Sequence, residues 1–136
     1  MSKYKKYINS PKIRKASELP FHEDGQGTRY LFLDNSIVPE SNLYTIVRTV
    51  NEVTEDKQSH VEIHKHNCNS TFIFLGNKPN LEGLICGVTL GDEKHIVSSP
   101  ASVFIPKGLE HSYRFIRGSG KYINIVLSGN YNKSLL

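Results

Sequence analysis

The segment 60–76 of this 136-residue chain contains histidine and acidic side chains whose types and spacing suit metal binding. The stretch reads HVEIHKHNCNSTFIFLG, and a strand would place His60, Glu62, His64 and His66 on one face, because strand side chains alternate with period two. Divalent metals such as zinc, iron and nickel favour neutral imidazole. Alternation alone brings His64 and His66 near enough to share one ion. The polar face therefore either meets solvent or lines an enclosed pocket, and the histidine that follows downstream favours the pocket.

A third histidine, His111, follows the turn Pro106-Lys107-Gly108, which itself ends the apolar run 103–105. The two histidine stretches together resemble the two motifs of the cupin superfamily. Residues 64–66, with Gly76 ten positions further on, are similar to the first cupin motif, in which two histidines one residue apart lead to a glycine turn. The turn with His111 closely matches the second motif, Pro-x-Gly-x-x-His.

The first motif departs from the usual cupin pattern in its acidic ligand. Ser70 stands where many cupins have a glutamate four residues after the second histidine, and Phe115 replaces the asparagine that often follows the last one. Thiol and diketone dioxygenases of this superfamily hold ferrous iron with three histidines alone. The resemblance therefore implies a metal site of His64, His66 and His111, with Fe(II) as the first choice and Zn, Ni, Mn or Cu as alternatives.

Two further residues are predicted to take part in catalysis. Glu62 lies on the histidine face about 7 Å from His64 along the strand, where it could act as a general base or orient an imidazole. It ranks above Glu110, which would point the other way from its neighbour His111 in an extended segment. Tyr113 follows His111 at strand spacing and should share its face.

Arg48, Cys68, Ser70 and Phe115 are the predicted substrate-binding residues. Arg48 shares a face of the predicted strand 43–53 with apolar residues, so it is a candidate clamp for a carboxylate or phosphate. The alternative is an arginine at the exposed end of that strand. Cys68 lies in the turn beside the histidines, and it is either a soft-metal ligand or nucleophile or a turn residue without a role.

Short segments rich in β-branched and aromatic residues, bounded by Gly, Pro, Asn and Asp, predict an all-β domain. Beyond 60–76, strands are predicted at 28–33, 43–53, 84–90, 95–97, 103–105, 112–116 and 121–127, with a short helix near Lys12–Leu19. The resemblance implies a single cupin-type β-barrel, a jelly roll of two antiparallel sheets, over 28–128. A basic arm and connector (1–27) precede it, and a polar tail (129–136) follows, loose unless Leu135 and Leu136 dock it.

Composition excludes several classes of protein. The chain is 38% hydrophobic and 22% charged, and no apolar run approaches bilayer length, which argues against disorder and a membrane span. The net charge of +4 is concentrated in the amino-terminal arm. No stacking or helix-turn-helix pattern accompanies it, so we expect a solvated arm and no nucleic-acid partner. With no secretion signal, the two cysteines predict reduced thiols in a cytoplasmic protein.

These observations favour a metal-dependent enzyme acting on a small organic substrate. The reaction is either an oxygenation or a metal-assisted isomerisation, cyclisation or elimination. The alternative is a non-catalytic cupin that binds a small ligand without metal. The resemblance also implies a homodimer, since cupin barrels often pair through their amino-terminal strands.

Overall fold

Eight β-strands and one short helix form the computed structural model, which describes residues 2–15, 27–55 and 63–136. The strands are β1 Lys12–Ile13, β2 Arg29–Leu33, β3 Tyr44–Val53, β4 Ser70–Gly76, β5 Leu84–Leu90, β6 Glu93–Ser98, β7 Ala101–Ile105 and β8 His111–Val126, and the helix is α1 Tyr131–Ser134. Single 3₁₀ turns lie at Lys5–Tyr7 and Pro79–Leu81. The predicted all-β architecture is confirmed. Within the described ranges, no helix is both long and apolar enough to cross a bilayer.

The long strand β8 joins two groups of antiparallel strands. Its first part, 111–118, pairs with β5, and β5 pairs in turn with β6. Its second part, 118–126, lies between β3 and β4, in the strand order β1-β2-β3-β8-β4-β7. Inward side chains from both groups meet in one hydrophobic core, so the interior of the barrel is filled from both sides.

The sequence predicted two separate strands where β8 runs unbroken, and that expectation is wrong. A turn was expected at 117–120 because of its glycines, but the chain stays in the sheet there. Gly118 has a φ of 95°, and a Cβ at this position would collide with the Gly83 carbonyl. The glycine therefore permits a bend and a change of strand partner without a turn.

Strict alternation along β3 and β4 builds the core next to the histidines. Tyr44, Ile46, Arg48 and Val50 share the buried face of β3, as the sequence pattern predicted. On β4 the buried face carries Ser70, Phe72, Phe74 and Gly76. Both phenylalanines are almost fully buried, so they belong to the hydrophobic core.

The helix predicted near Lys12–Leu19 is wrong where the structure describes it. Lys12 and Ile13 pair with Leu31 and Tyr30 as the two-residue edge strand β1. The remainder of the predicted helix, from residue 16 onward, lies outside the described residues.

Candidate metal centre

A pair of backbone hydrogen bonds brings the two histidine motifs together. The His64 amide donates to the His111 carbonyl over 3.2 Å, and the His111 amide donates back over 2.9 Å. The His66 carbonyl accepts the Gly108 amide at 2.9 Å, which ties the Pro/Gly turn to the same segment. The alternation predicted for this segment therefore survives at His64 and His66, although the regular strand begins only at Ser70.

The three histidine side chains form a buried cluster. His64, His66 and His111 are 7%, 2% and 1% exposed, and one ring nitrogen of each lies within 4.8 Å of the others. The ring centroids are separated by 4.5 to 5.1 Å. Across the described parts of the chain, no carboxylate or thiol joins this cluster. The three predicted metal ligands thus lie together, at a spacing that a single ion could bridge.

Hydrogen bonds fix the tautomers of two of these rings. The Nδ1–H of His111 donates to the Leu109 carbonyl at 2.8 Å, because a carbonyl can only accept. The Ser134 hydroxyl donates to the Tyr131 carbonyl at 2.6 Å, so its oxygen accepts the Nδ1–H of His66 at 2.8 Å. In both neutral rings the lone pair is therefore on Nε2, where it can bind a metal.

Burial keeps His111 in its neutral form. Desolvation lowers its pKa to about 4; the hydrogen bond to Leu109 opposes this shift, and the nearby His64 adds to it. At neutral pH the ring is uncharged, which is the form that divalent metals bind.

A phenol completes the cluster on the side of His64. The Tyr131 hydroxyl lies 3.1 Å from His64 Nε2, and its ring packs 5.1 Å from that of His66. Burial raises the pKa of Tyr131 well above its usual value, so the phenol is neutral and shares a hydrogen bond with His64 Nε2. Metal binding at this nitrogen would have to break that hydrogen bond.

The carboxy-terminal segment 131–136 is packed on the histidine segment. The Asn67 amide donates to the Ser134 carbonyl at 2.6 Å, and the Leu136 amide donates to the Lys65 carbonyl at 3.0 Å. Leu135 forms an isolated β-bridge with His66. The tail was expected to be loose unless its two leucines docked it, and the structure has the docked arrangement.

Tyr131 and Ser134 are therefore site residues that the sequence analysis missed. Their one local signal is Asn130, whose side chain caps α1 by accepting the Lys133 amide at 3.0 Å. An asparagine before a tyrosine is too common to identify a site by itself.

Two of the predicted residues, Tyr113 and Phe115, continue the inner face of β8 beyond His111. The Phe72 ring contacts both His111 and Tyr113, with centroids 5.7 and 5.3 Å away. Tyr113 thus lies in the layer next to the histidines. Its hydroxyl accepts a hydrogen bond of 3.2 Å from Arg29, a buried residue that the sequence analysis did not single out.

Arg48 lies on the inner face of β3 and is 2% exposed, so the alternative of an exposed strand end is wrong. Its guanidinium lies over the Phe115 ring, 5.3 Å from the centroid. Phe115 is about 13 Å along β8 from His111. The structure therefore places Arg48 inside the barrel but well away from the histidines.

The remaining predicted residues differ in how they relate to the cluster. Ser70 is buried, and its hydroxyl has no hydrogen-bond partner in the described part of the chain. Cys68 is a half-buried free thiol packed against the core, and burial raises its pKa, which opposes the thiolate form. Glu62 and His60 lie outside the described residues, so the role predicted for Glu62 stays a prediction.

Comparison with known proteins identifies the architecture. No protein-family model and no curated protein matches the sequence. Among solved structures, the FeII form of HppE matches with a TM-score of 0.58 and 18% identity, over 85% of this chain and 56% of that one. Oxalate decarboxylase from Bacillus subtilis matches with a TM-score of 0.58 and 15% identity, over 95% of this chain and 32% of that one. The fold is that of the cupins.

At 15% and 18% sequence identity, these matches show similarity of fold only. This chain spans about half of the HppE chain and a third of the oxalate decarboxylase chain. Both neighbours are cupins, so the cupin resemblance of the two histidine motifs is confirmed at the level of structure.

Proposed function

We propose that this cupin is a small metal-dependent enzyme that acts on a small organic substrate at a mononuclear three-histidine centre. The observation that carries the proposal is the buried cluster of His64, His66 and His111, two of which have their Nε2 lone pairs set by hydrogen bonds. Buried imidazoles arranged in this way suit a divalent ion, and three protein ligands leave coordination positions for a substrate.

Iron(II) is the first candidate for the ion, with zinc, nickel, manganese and copper as alternatives, because imidazole ligands accept each of them. The matching structures include an FeII form of HppE and Mn(II) centres of oxalate decarboxylase. When bound, such an ion would supply Lewis acidity or, if iron, oxygen chemistry. The reaction is therefore an oxygenation, or an isomerisation, cyclisation or elimination.

The surrounding residues would exclude water and orient the substrate. The Phe72 ring packs against His111 and separates the cluster from the core behind it. The Tyr113 hydroxyl, held by Arg29 in the next layer, faces the same interior and would position a polar group of the substrate. We keep Glu62 as the proposed general base.

The test is the metal content of protein purified without an affinity tag, measured by elemental mass spectrometry before and after reconstitution with each candidate ion. We expect close to one ion per chain. Stoichiometric iron together with substrate-dependent oxygen uptake would identify an oxygenase. Zinc or nickel without oxygen uptake would favour isomerase, cyclase or lyase chemistry. Protein that takes up none of these ions would contradict the proposal.

One observation favours the alternative of a metal-free, ligand-binding cupin. Each of the three histidines has a protein hydrogen-bond partner in the cluster: Tyr131 for His64, Ser134 for His66 and Leu109 for His111. The Nε2 atom of His64 is already paired with Tyr131, so this nitrogen needs no ion to satisfy it. Failure of reconstitution with every ion would favour this function.

We also propose that the chain forms a homodimer through its amino-terminal arm. Tyr4, Ile8 and Ile13 are 70%, 80% and 73% exposed, and β1 is an open edge of the sheet. An Ile8→Ser/Ile13→Ser protein is expected to have half the wild-type mass in light scattering. Ile96→Ser, which changes an equally apolar exposed residue on β6, is the control and should leave the mass unchanged. A monomeric wild type would remove the proposal.

A further inference from the structure

Arg29 is a buried cation in the wall of the barrel. It is the first residue of β2 and is 6% exposed. In the register of β2 and β3 it pairs directly with Arg48, so both guanidinium groups face inward from adjacent strands. Like charges directly opposite each other in a sheet are destabilising. If these two positions only had to fill the interior, apolar residues would make the protein more stable than two arginines do.

Among the residues that the structure describes, no acidic side chain forms an ion pair with Arg29. One of its terminal nitrogens donates to the Tyr113 hydroxyl at 3.2 Å, while its buried Nε has no hydrogen-bond partner among the described residues. Among the described residues, the ion pairs are Arg14 with Asp34 and His95 with Glu93. Because arginine stays protonated in proteins, the group remains a buried cation with unused donor capacity.

Neutral phenols surround this cation. Tyr44 is fully buried, and burial raises its pKa to about 12, whereas the nearby Arg29 lowers it. The Arg29 guanidinium lies beside the Tyr44 hydroxyl, which has no other hydrogen-bond partner among the described residues. Arg29 and Tyr44 together offer N–H and O–H donors and a positive charge, a combination that recognises an oxyanion.

These residues lie one aromatic layer away from the histidine cluster. The Tyr44 ring packs 4.9 Å from that of Tyr131, whose hydroxyl contacts His64. On the other side, the Phe72 ring contacts both Tyr113 and His111. A ligand with its charged end at Arg29 would therefore meet the rings of Tyr131 and Phe72, which lie between Arg29 and the histidines.

We propose that Arg29, with the hydroxyl of Tyr44, binds the carboxylate or phosphate-type group of the ligand, so that the substrate is a small organic anion. Calling this ligand a substrate rests on the proposed function; the anion site itself requires no metal. The anion would neutralise the cation and use the idle Nε donor of Arg29.

The experiment measures anion binding to metal-free protein by calorimetry and by thermal melting. Acetate and inorganic phosphate are titrated at constant ionic strength in chloride, with acetamide as the uncharged counterpart of acetate. We expect saturable binding of acetate, phosphate or both, a rise in melting temperature with anion concentration, and no effect of acetamide. The anion that binds more tightly distinguishes a carboxylate from a phosphate-type ligand.

Variants assign the site to Arg29. Arg29→Met is expected to weaken anion binding roughly tenfold to a hundredfold, since charged hydrogen bonds are lost. Arg29→Lys keeps the charge but loses the planar guanidinium, so its anion affinity should lie between those of the wild type and Arg29→Met. Lys121→Met removes one positive charge from an exposed position of β8 and should bind as the wild type does.

Stability separates this proposal from a purely structural arginine. Without anion, Arg29→Met should melt at or above the wild-type temperature, because an uncompensated buried charge is removed. The His64→Ala/His111→Ala protein should still bind the anion, so that loss of the metal centre and loss of the anion site are distinguishable. The proposal would be overturned if the wild type showed no saturable anion binding, or if Arg29→Met bound the anion as tightly as the wild type. It would also be overturned if Arg29→Met melted below the wild type by the same amount with and without anion.

Discussion

The His64→Ala/His111→Ala protein is expected to bind divalent metal more than about a hundredfold more weakly than the wild type. Loss of groups that merely orient a ligand lowers metal affinity ten- to a hundredfold, and here two of the three ligands themselves are removed. Affinity is measured by competition with a chromophoric chelator, and stoichiometry by elemental mass spectrometry. The rise in melting temperature on adding metal should disappear with the affinity.

His95→Ala is the matched control for this prediction. His95 lies on β6, is exposed and contacts Glu93 at 2.9 Å, so its loss should leave metal affinity unchanged. The double variant will melt somewhat lower than the wild type without metal, because two buried rings are replaced by smaller groups. Circular dichroism shows whether the β-sheet is retained. A folded double variant with wild-type metal affinity would locate the metal elsewhere and remove the proposed centre.

Local sequence patterns were sufficient to predict the two halves of the cluster. Alternation placed His64 and His66 on one face, and the Pro/Gly turn located His111. The bridge that joins His64 to His111 is a long-range pairing, which no local pattern contains. The cupin resemblance supplied this step, because a family motif carries the tertiary arrangement with it.

Other features of the fold depend on tertiary contacts that are invisible in the sequence. The glycines near residue 118 indicate a turn, yet the carbonyl of Gly83 and the strands on either side keep them in β8. Because Arg29 follows a turn-rich segment, the sequence predicts an exposed residue at the beginning of a strand. Its burial follows from the way β2 packs over the tyrosines of β3 and β8, which only the assembled barrel shows.

The contribution of the carboxy-terminal segment was the hardest to predict. Tyr131 and Ser134 contact histidines that lie 67 and 68 residues earlier in the chain. The segment is polar and short, and its helix has only four residues, too few to form a stable helix alone. It is ordered by hydrogen bonds to the histidine segment, so neither its structure nor its role can be derived from its own composition.

Ser134→Ala is therefore expected to lower metal affinity about ten- to a hundredfold without removing a ligand. The Ser134 hydroxyl donates a hydrogen bond to the Tyr131 carbonyl and accepts one from the Nδ1–H of His66, which leaves the His66 lone pair on Nε2. Without the hydroxyl, the ring is free to adopt the other tautomer or to turn. Long-range ¹H–¹⁵N spectra of the imidazoles should show a single Nδ1–H tautomer for His66 in the wild type and a mixture in the variant.

A matched variant separates this positioning role from a loss of packing. Ser128→Ala also removes a hydroxyl near α1, one that donates to the Asn130 carbonyl at 3.0 Å, but it does not touch a histidine. It should loosen the segment slightly while leaving the His66 tautomer and the metal affinity close to those of the wild type. Equal losses of affinity in the two serine variants would mean that docking of the segment alone matters. A larger loss in Ser134→Ala, together with the altered His66 spectrum, would make this serine the group that orients a metal ligand from the far end of the chain.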